Sequence, residues 1–343
     1  MSSALSGLGL AIPVLAAPMA GGPSTPAFVT AAARAGGLGF LAAGYKTPQA
    51  LADQIAAVRS QRLPFGVNLF APNPVPVDPD AFRRYADSIR VEAERYGLDL
   101  AGDGPIEDDD HWSDKLDLLL ADPVPVASFT FGVPDPAVIA ALRRAGTVVI
   151  QTVTSAGEAA IAAEARPDVL AVQGFAAGGH SGTLTPHRLP APVPTADLVA
   201  AVRNAVALPL VAAGGLATSD DIAAALLAGA EAAMVGTVLL LADESGASAP
   251  YRAALADPAR NRTIVTRAFT GRPARALRNG FIDRYDALAP AGYPALHHLT
   301  SPLRRAATAA GDPDRINLWA GTGHDRATAE PVSQTLSRLA GRL

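Results

Sequence analysis

Short apolar runs rich in Val, Leu, Ile and Ala alternate along the chain with longer Ala-rich stretches whose apolar positions recur at helical spacing. Gly or Pro stands at most of the junctions. The short runs predict eight strands, at Val14–Pro18, Leu38–Ala43, Phe65–Phe70, Val126–Phe131, Thr147–Val153, Val169–Gln173, Leu208–Ala213 and Ala232–Thr237. Helical patterns fall between them at Pro26–Ala35, Pro48–Arg59, Asp80–Tyr96, Pro136–Ala145, Ala156–Ala165, Ala196–Val206 and Ser219–Ala228. Thr47-Pro48, Ser155 and Ser219-Asp220-Asp221 read as N-cap and first-turn residues, because a side-chain oxygen there accepts from an N–H that the helix leaves free. The strands are apolar on both faces, as parallel strands are when helices cover them outside and side chains fill the inside.

Eight β/α units predict a (β/α)8 TIM barrel, with a doubly wound open sheet as the competing α/β arrangement. The barrel also accounts for unusual residues clustering just after strands, because the active sites of such barrels are built from the loops at the C-terminal strand ends. Two segments depart from the repeat. Pro72–Asp122 is Pro-rich and then polar, so a long inserted loop and helix region is expected after strand three. Its Glu107-Asp108-Asp109-Asp110 run reads as a solvated loop in preference to a metal site. The tail beyond Ala242 is too long for one closing helix and is expected to be a helical appendage folded over the barrel mouth. The organisation expected is thus a barrel over residues 1–242 and a C-terminal helical extension over 243–343, packed on the mouth as part of one structural unit.

Composition narrows the function classes. With 343 residues, 49% of them hydrophobic and 17% charged, the chain can bury a large core, which excludes wholesale disorder. Aromatics are only 5%, so that core must be aliphatic. A net charge of -4 provides no global field for nucleic acid or an anionic membrane. The absence of cysteine removes disulfides, thiolate nucleophiles and cysteine-ligated metals. The longest apolar runs, such as Ala223–Ala233 with Glu231 inside, are too short to span a bilayer. The first residues lack the basic region of a signal peptide, so a cytoplasmic protein is expected. Its partners would be small molecules, and an apolar barrel surface permits a homodimer.

Candidate chemistry concentrates after strands six, seven and eight. The segment Gln173-Gly174-Phe175-Ala176-Ala177-Gly178-Gly179-His180-Ser181-Gly182-Thr183 ends a strand in an amide and then carries four glycines and a histidine. Such a loop lets backbone N–H groups approach a ligand and presents an acid, base or donor near neutral pH; the competing reading is a flexible turn with an exposed histidine. Gly214-Gly215 and Met234-Val235-Gly236-Thr237 fall on the loops after strands seven and eight, where barrels of this kind commonly bind phosphate. Glycine merely ending strands compactly is the alternative. Asn68 and Gln173 end otherwise apolar strands, and an amide that donates and accepts suits the edge of a heterocycle as well as it suits a structural bond. His297-His298 is a poor metal pair, since adjacent side chains diverge and no nearby carboxylate completes a triad. There is no Walker-type Gly-Lys-Ser/Thr, no G-x-G-x-x-G and no G-x-S-x-G.

Taken together, these pieces resemble the nitronate monooxygenase family, the former 2-nitropropane dioxygenases. The matching segments are Ala16-Ala17-Pro18-Met19-Ala20-Gly21-Gly22, Phe65–Phe70, Val172–His180, Val211–Gly215, Val235-Gly236-Thr237, Leu299–Arg304 and Asn317–Gly321. The resemblance implies an FMN-dependent TIM barrel in which Pro18 and Met19 lie against the flavin, Asn68 and Gln173 hydrogen-bond it, and Met234 also belongs to the cofactor-binding residues. Gly178, Gly179, Gly214, Gly215, Gly236 and Thr237 would cradle the ribityl phosphate, and His180 would be catalytic. No metal is implied. The implied reaction is oxidation of a nitronate or nitroalkane by O2, through one-electron transfer and a flavin semiquinone, with detoxification as the expected role. Propionate 3-nitronate is a representative substrate. Ser181 stands where many members carry Arg or another bulky residue. The resemblance leaves two alternatives: an FMN-dependent NAD(P)H enoyl-thioester reductase of the same barrel superfamily, and a flavin-binding barrel without catalysis.

Overall fold

The computed structural model describes residues 4–100 and 104–341. Eight parallel strands close on themselves: β1 (Val14–Ala16), β2 (Leu38–Ala42), β3 (Gly66–Ala71), β4 (Val126–Phe131), β5 (Val148–Val153), β6 (Val169–Gln173), β8 (Leu210–Ala213) and β9 (Ala232–Val235). The pairing that closes the ring is β9 on β1, with Ala233 opposite Val14 and Val235 opposite Ala16. That pairing excludes the open sheet. Leu15, Leu38, Phe40, Val126, Ile150, Val169 and Val211 are fully buried and fill one cluster, while the outward residues of the same strands join the core shared with the helices.

The barrel helices are α1 (Pro26–Arg34), α2 (Pro48–Arg59), α4 (Trp112–Ala121), α5 (Pro136–Arg144), α6 (Ala156–Glu164), α7 (Thr195–Ala205), α8 (Ser219–Leu227) and α12 (Val332–Ala340). Thr25 and Thr47 cap helices that begin with Pro, their hydroxyls accepting from Phe28 N and Ala50 N. Ser155 caps α6 as expected. The cap of α8 is Thr218, one residue earlier than the pattern suggested. Its hydroxyl accepts from Asp221 N while the Asp221 carboxylate accepts from Thr218 N, so each satisfies the other's free donor.

Both irregular segments contain more order than the pattern predicts. Within Pro72–Asp122, α3 (Pro79–Glu94) leaves the barrel and packs on α11 (Ala295–Ala309), whereas α4, which the polar sequence did not announce, packs against α2, α5 and β3. Beyond Ala242 the chain forms α9 (Ala249–Ala256), α10 (Gly280–Tyr285) and α11, as a helical appendage should, but it also makes a hairpin of β10 (Thr263–Thr266) and β11 (Ala274–Leu277). A two-residue strand, β7 (Gly179–His180), adds to β11, Gly179 opposite Arg275 and His180 opposite Ala274. The histidine loop is therefore held by the appendage through backbone pairing. The last helix, α12, returns to pack between α8 and α1.

Candidate active site

A cavity of about 560 Å³ opens at the C-terminal ends of the barrel strands. This is the size range of small-molecule and cofactor sites. Every residue singled out from the sequence borders it: Pro18, Met19, Asn68, Gln173, Gly178, Gly179, His180, Gly214, Gly215, Met234, Gly236 and Thr237.

One wall is a glycine-lined cradle. Gly214 and Gly215 have φ of +97° and +75°, and a Cβ on them would stand 2.8 Å from Gly174 O and 2.6 Å from Ala176 Cβ. A Cβ on Gly178 would meet Gly321 N at 2.5 Å. Thr237 Oγ1 accepts from Gly321 N at 2.9 Å, tying the loop after β9 to the tail. The floor is amphipathic. Met19 reaches toward Gly236, its Sδ 3.5 Å from where a Cβ would stand there. Asn68 Nδ2 donates to Ser128 Oγ (2.9 Å) and Thr130 Oγ1 (3.0 Å), a consequence of the β3–β4 register that sets Asn68 beside Ser128. Gln173 works on its own loop, accepting from Gly182 N (2.7 Å) and donating to His180 O (3.2 Å). Its amide thus shapes the histidine loop directly.

His180 sits in an aromatic enclosure. The rings of Phe131, Tyr293 and Trp319 lie 5.7, 5.7 and 5.3 Å from it. Its Nε2 shares a hydrogen bond of 2.9 Å with Thr270 Oγ1, a hydroxyl on the turn between β10 and β11. Burial, reinforced by Arg272 and Arg304, pushes the imidazole down to about 3, so it is neutral at physiological pH. Phe131 occupies the left-handed region at φ +85°, at the end of β4. The guanidinium of fully buried Arg272 lies 4.0 Å over its ring and donates to Thr183 O (2.6 Å) and Asn73 O (3.3 Å). Strain of this kind persists where the surroundings over-determine it.

The rim also brings together residues that lie far apart in the chain. Tyr45, also left-handed at φ 66°, stacks on His297 at 3.9 Å and faces the Tyr293 hydroxyl at 3.4 Å. His297 in turn meets Arg304. His298 points away and pairs with Asp108 at 2.9 Å. The acidic run is thus not simply solvated: Asp110 binds buried Lys115 Nζ at 2.7 Å and accepts from Tyr45 N at 2.9 Å, so a buried cation draws the loop in. Among the described residues no group of three or more His, Asp or Glu is arranged to hold a metal ion. Trp319 falls within the family-like segment Asn317–Gly321, whereas nothing along the chain marked Tyr45 or Tyr293.

The buried histidines have a consequence for stability. His180 and His297 both lie below their ordinary 6.5, chiefly through desolvation. Below that pH the unfolded chain takes up protons that the folded one does not, so stability falls on acidification from about 6.5 toward 3. Going from neutral pH to 5 should cost about 2 kcal/mol for His180 alone. Urea unfolding at the two pH values checks this, and an unchanged midpoint would contradict it.

A closed α/β barrel whose strand-end cavity joins a glycine cradle to an enclosed histidine belongs to the class of barrel enzymes that bind a small ligand in the mouth. The sequence model of the nitronate monooxygenase family matches residues 2–340, and the chain belongs to that family of oxidoreductases. A probable nitronate monooxygenase of Staphylococcus aureus strain Newman is 33% identical over 344 residues, covering 98% of this chain and 95% of its own. The solved structure of nitroalkane oxidase from Streptomyces ansochromogenes shares 47% identity with a TM-score of 0.94, over 99% of this chain and 98% of that one. FabK from Thermotoga maritima shares 26% identity with a TM-score of 0.76, over 99% and 95%. Among the described residues no helix is long and apolar enough to cross a membrane.

Proposed function

We propose that this chain oxidises alkyl nitronates, propionate 3-nitronate among them, with O2 to a carbonyl product and nitrite or nitrate, using FMN bound in the barrel mouth. The observation that carries the reading is the cavity, bordered alike by an enclosed neutral histidine, a cation and glycines packed too tightly to carry side chains. Family membership and the likeness to nitroalkane oxidase support it.

The residues present fit FMN. Gly214, Gly215 and Gly178 pack too closely on Gly174 O, Ala176 Cβ and Gly321 N to carry side chains, and together with Gly179, Gly236 and Thr237, which also border the cavity, they would hold the phosphate. Pro18, Met19 and Met234 offer an apolar surface for the ring, and Asn68 and Gln173 offer amides at its edge. Bound FMN would supply the one-electron chemistry and the reaction with O2. The chain's own residues orient the substrate and exclude water. The Nε2 side of His180 is engaged by Thr270, and Phe131, Tyr293 and Trp319 enclose the ring. A neutral imidazole can take the proton of a neutral nitroalkane, or hold a nitro oxygen through its N–H.

Oxygen uptake with nitrite release when the FMN-loaded protein meets propionate 3-nitronate is the expected result. The competing reductase reading draws on the shared fold with FabK. It gains if the protein ignores the nitronate but its flavin is bleached by NADPH without oxygen. Inertness to both would leave a flavin-binding barrel without catalysis.

A further inference from the structure

Three arginines at or beside the cavity, Arg272, Arg275 and Arg304, lack a carboxylate partner among the described residues, as does the exposed Arg305. Arg272 and Arg275 are buried, and Arg304 borders the cavity. Among the described residues none of the three forms an ion pair; all their hydrogen bonds go to neutral acceptors. Arg272 donates to Asn73 O and Thr183 O, and Arg275 to Phe175 O and Thr263 Oγ1. Each of these two also lies over an aromatic ring, Phe131 and Phe175 respectively. Of these arginines Arg304 and Arg305 border the cavity; Arg305 is exposed and donates to Ser301 Oγ, whereas Arg304 is partly buried and fixed by its neighbours.

Arg304 is held rigidly by neighbours that leave its charge unanswered. Its Nε donates to Thr300 Oγ1 (3.1 Å), Nη1 to Asn317 Oδ1 (3.2 Å), and Nη2 to His297 Nδ1 (3.2 Å) and His297 O (3.0 Å). These four contacts use four of the five hydrogens of a guanidinium, leaving one on Nη1. The Tyr45 ring stacked on His297 fixes that partner in turn. Desolvation lowers Arg304 only to about 10, so it is a cation at neutral pH. A partly buried cation at the cavity edge without a counter-ion attracts an anion that arrives there.

We infer that Arg304 is the specificity-determining residue that receives the negative charge of the substrate, so that affinity for the anionic nitronate is set by Arg304. The inference rests on the nitronate reading above. A planar guanidinium with a free N–H suits the oxygens of a planar nitronate.

Nitrate, a planar oxyanion of similar shape, tests this without turnover. Its Kd for the FMN-loaded protein is measured by calorimetry for the wild type, Arg304→Gln and Arg304→Lys, with FMN content and Tm recorded for each. The KM and kcat for propionate 3-nitronate are measured alongside. Arg304→Gln should raise the nitrate Kd and the nitronate KM by about 10-fold or more, the scale of a lost charged hydrogen bond. Arg304→Lys, which keeps the charge without the fork, should recover part of the loss and serves as the test if the Gln variant does not fold. Nitrate that does not bind the wild type, or that binds Arg304→Gln within twofold of it, overturns the inference; so does a Lys variant as impaired as Gln. A wild type that binds nitrate through Arg304 yet turns over no nitronate would overturn the proposed function and leave the anion site standing.

Discussion

Replacing His180 by Asn is expected to lower turnover of neutral nitroalkanes by about 100-fold or more, the usual scale for losing a positioned general base. Asparagine keeps a polar group in the aromatic enclosure but cannot take a proton. Nitronates arrive already deprotonated, so their turnover should fall much less. The ratio of nitronate to nitroalkane activity would therefore rise in this variant, whereas loss of Arg304 should lower nitronate affinity. Steady-state kinetics on both substrate forms, at equal FMN content, separates the two residues. Unchanged nitroalkane turnover would remove the base assignment from His180 and leave it a hydrogen-bond donor.

The second large effect is expected at the cradle. Gly214→Val places a branched side chain at φ +97°, where even a Cβ stands 2.8 Å from Gly174 O and 3.1 Å from Ala177 N. Both contacts are backbone, so they cannot swing aside. The loop after β8 must move, and with it the amides facing the cavity. FMN affinity should fall by two orders of magnitude or more, roughly the loss of two charge-assisted hydrogen bonds. Gly97→Ala is the matching control: its φ of +66° is equally left-handed, but nothing lies within 4 Å. That substitution should cost about 1 kcal/mol of stability and leave FMN binding alone. Reconstitution of the apoprotein followed by flavin fluorescence measures both, and full FMN affinity in Gly214→Val would exclude this loop from the cofactor site.

Much of this protein was legible along the chain. All eight barrel strands appear as apolar runs, because a parallel strand buried on both faces tolerates little else. Helix starts were marked by Thr, Ser and Pro, because capping is local chemistry between residues three or four apart. The cavity-facing glycines, Asn68, Gln173 and His180 stood out because each breaks an apolar pattern at a strand end, where barrels build their sites.

Tertiary structure decided the rest. Helix α4 was hidden because its buried polar residue, Lys115, is satisfied by Asp110 and by Ala43 O across the fold, and periodicity cannot register such a partner. The two-residue strand that carries His180 exists only because β11, almost a hundred residues later, offers it an edge. Thr270, Arg272 and Tyr293 lie on a tail with no pattern linking them to His180, and Arg304 and Trp319 stood out only within family-like segments, yet all five enclose the histidine or set its charge state. The sequence by itself determined the barrel, the strand-end positions of the cradle and the candidate histidine, since these follow from local periodicity and backbone freedom. How that histidine is neutralised, and which cation faces the cavity, depended on contacts between residues far apart in the chain, whose desolvation and pairing arise only once the tail has closed over the mouth.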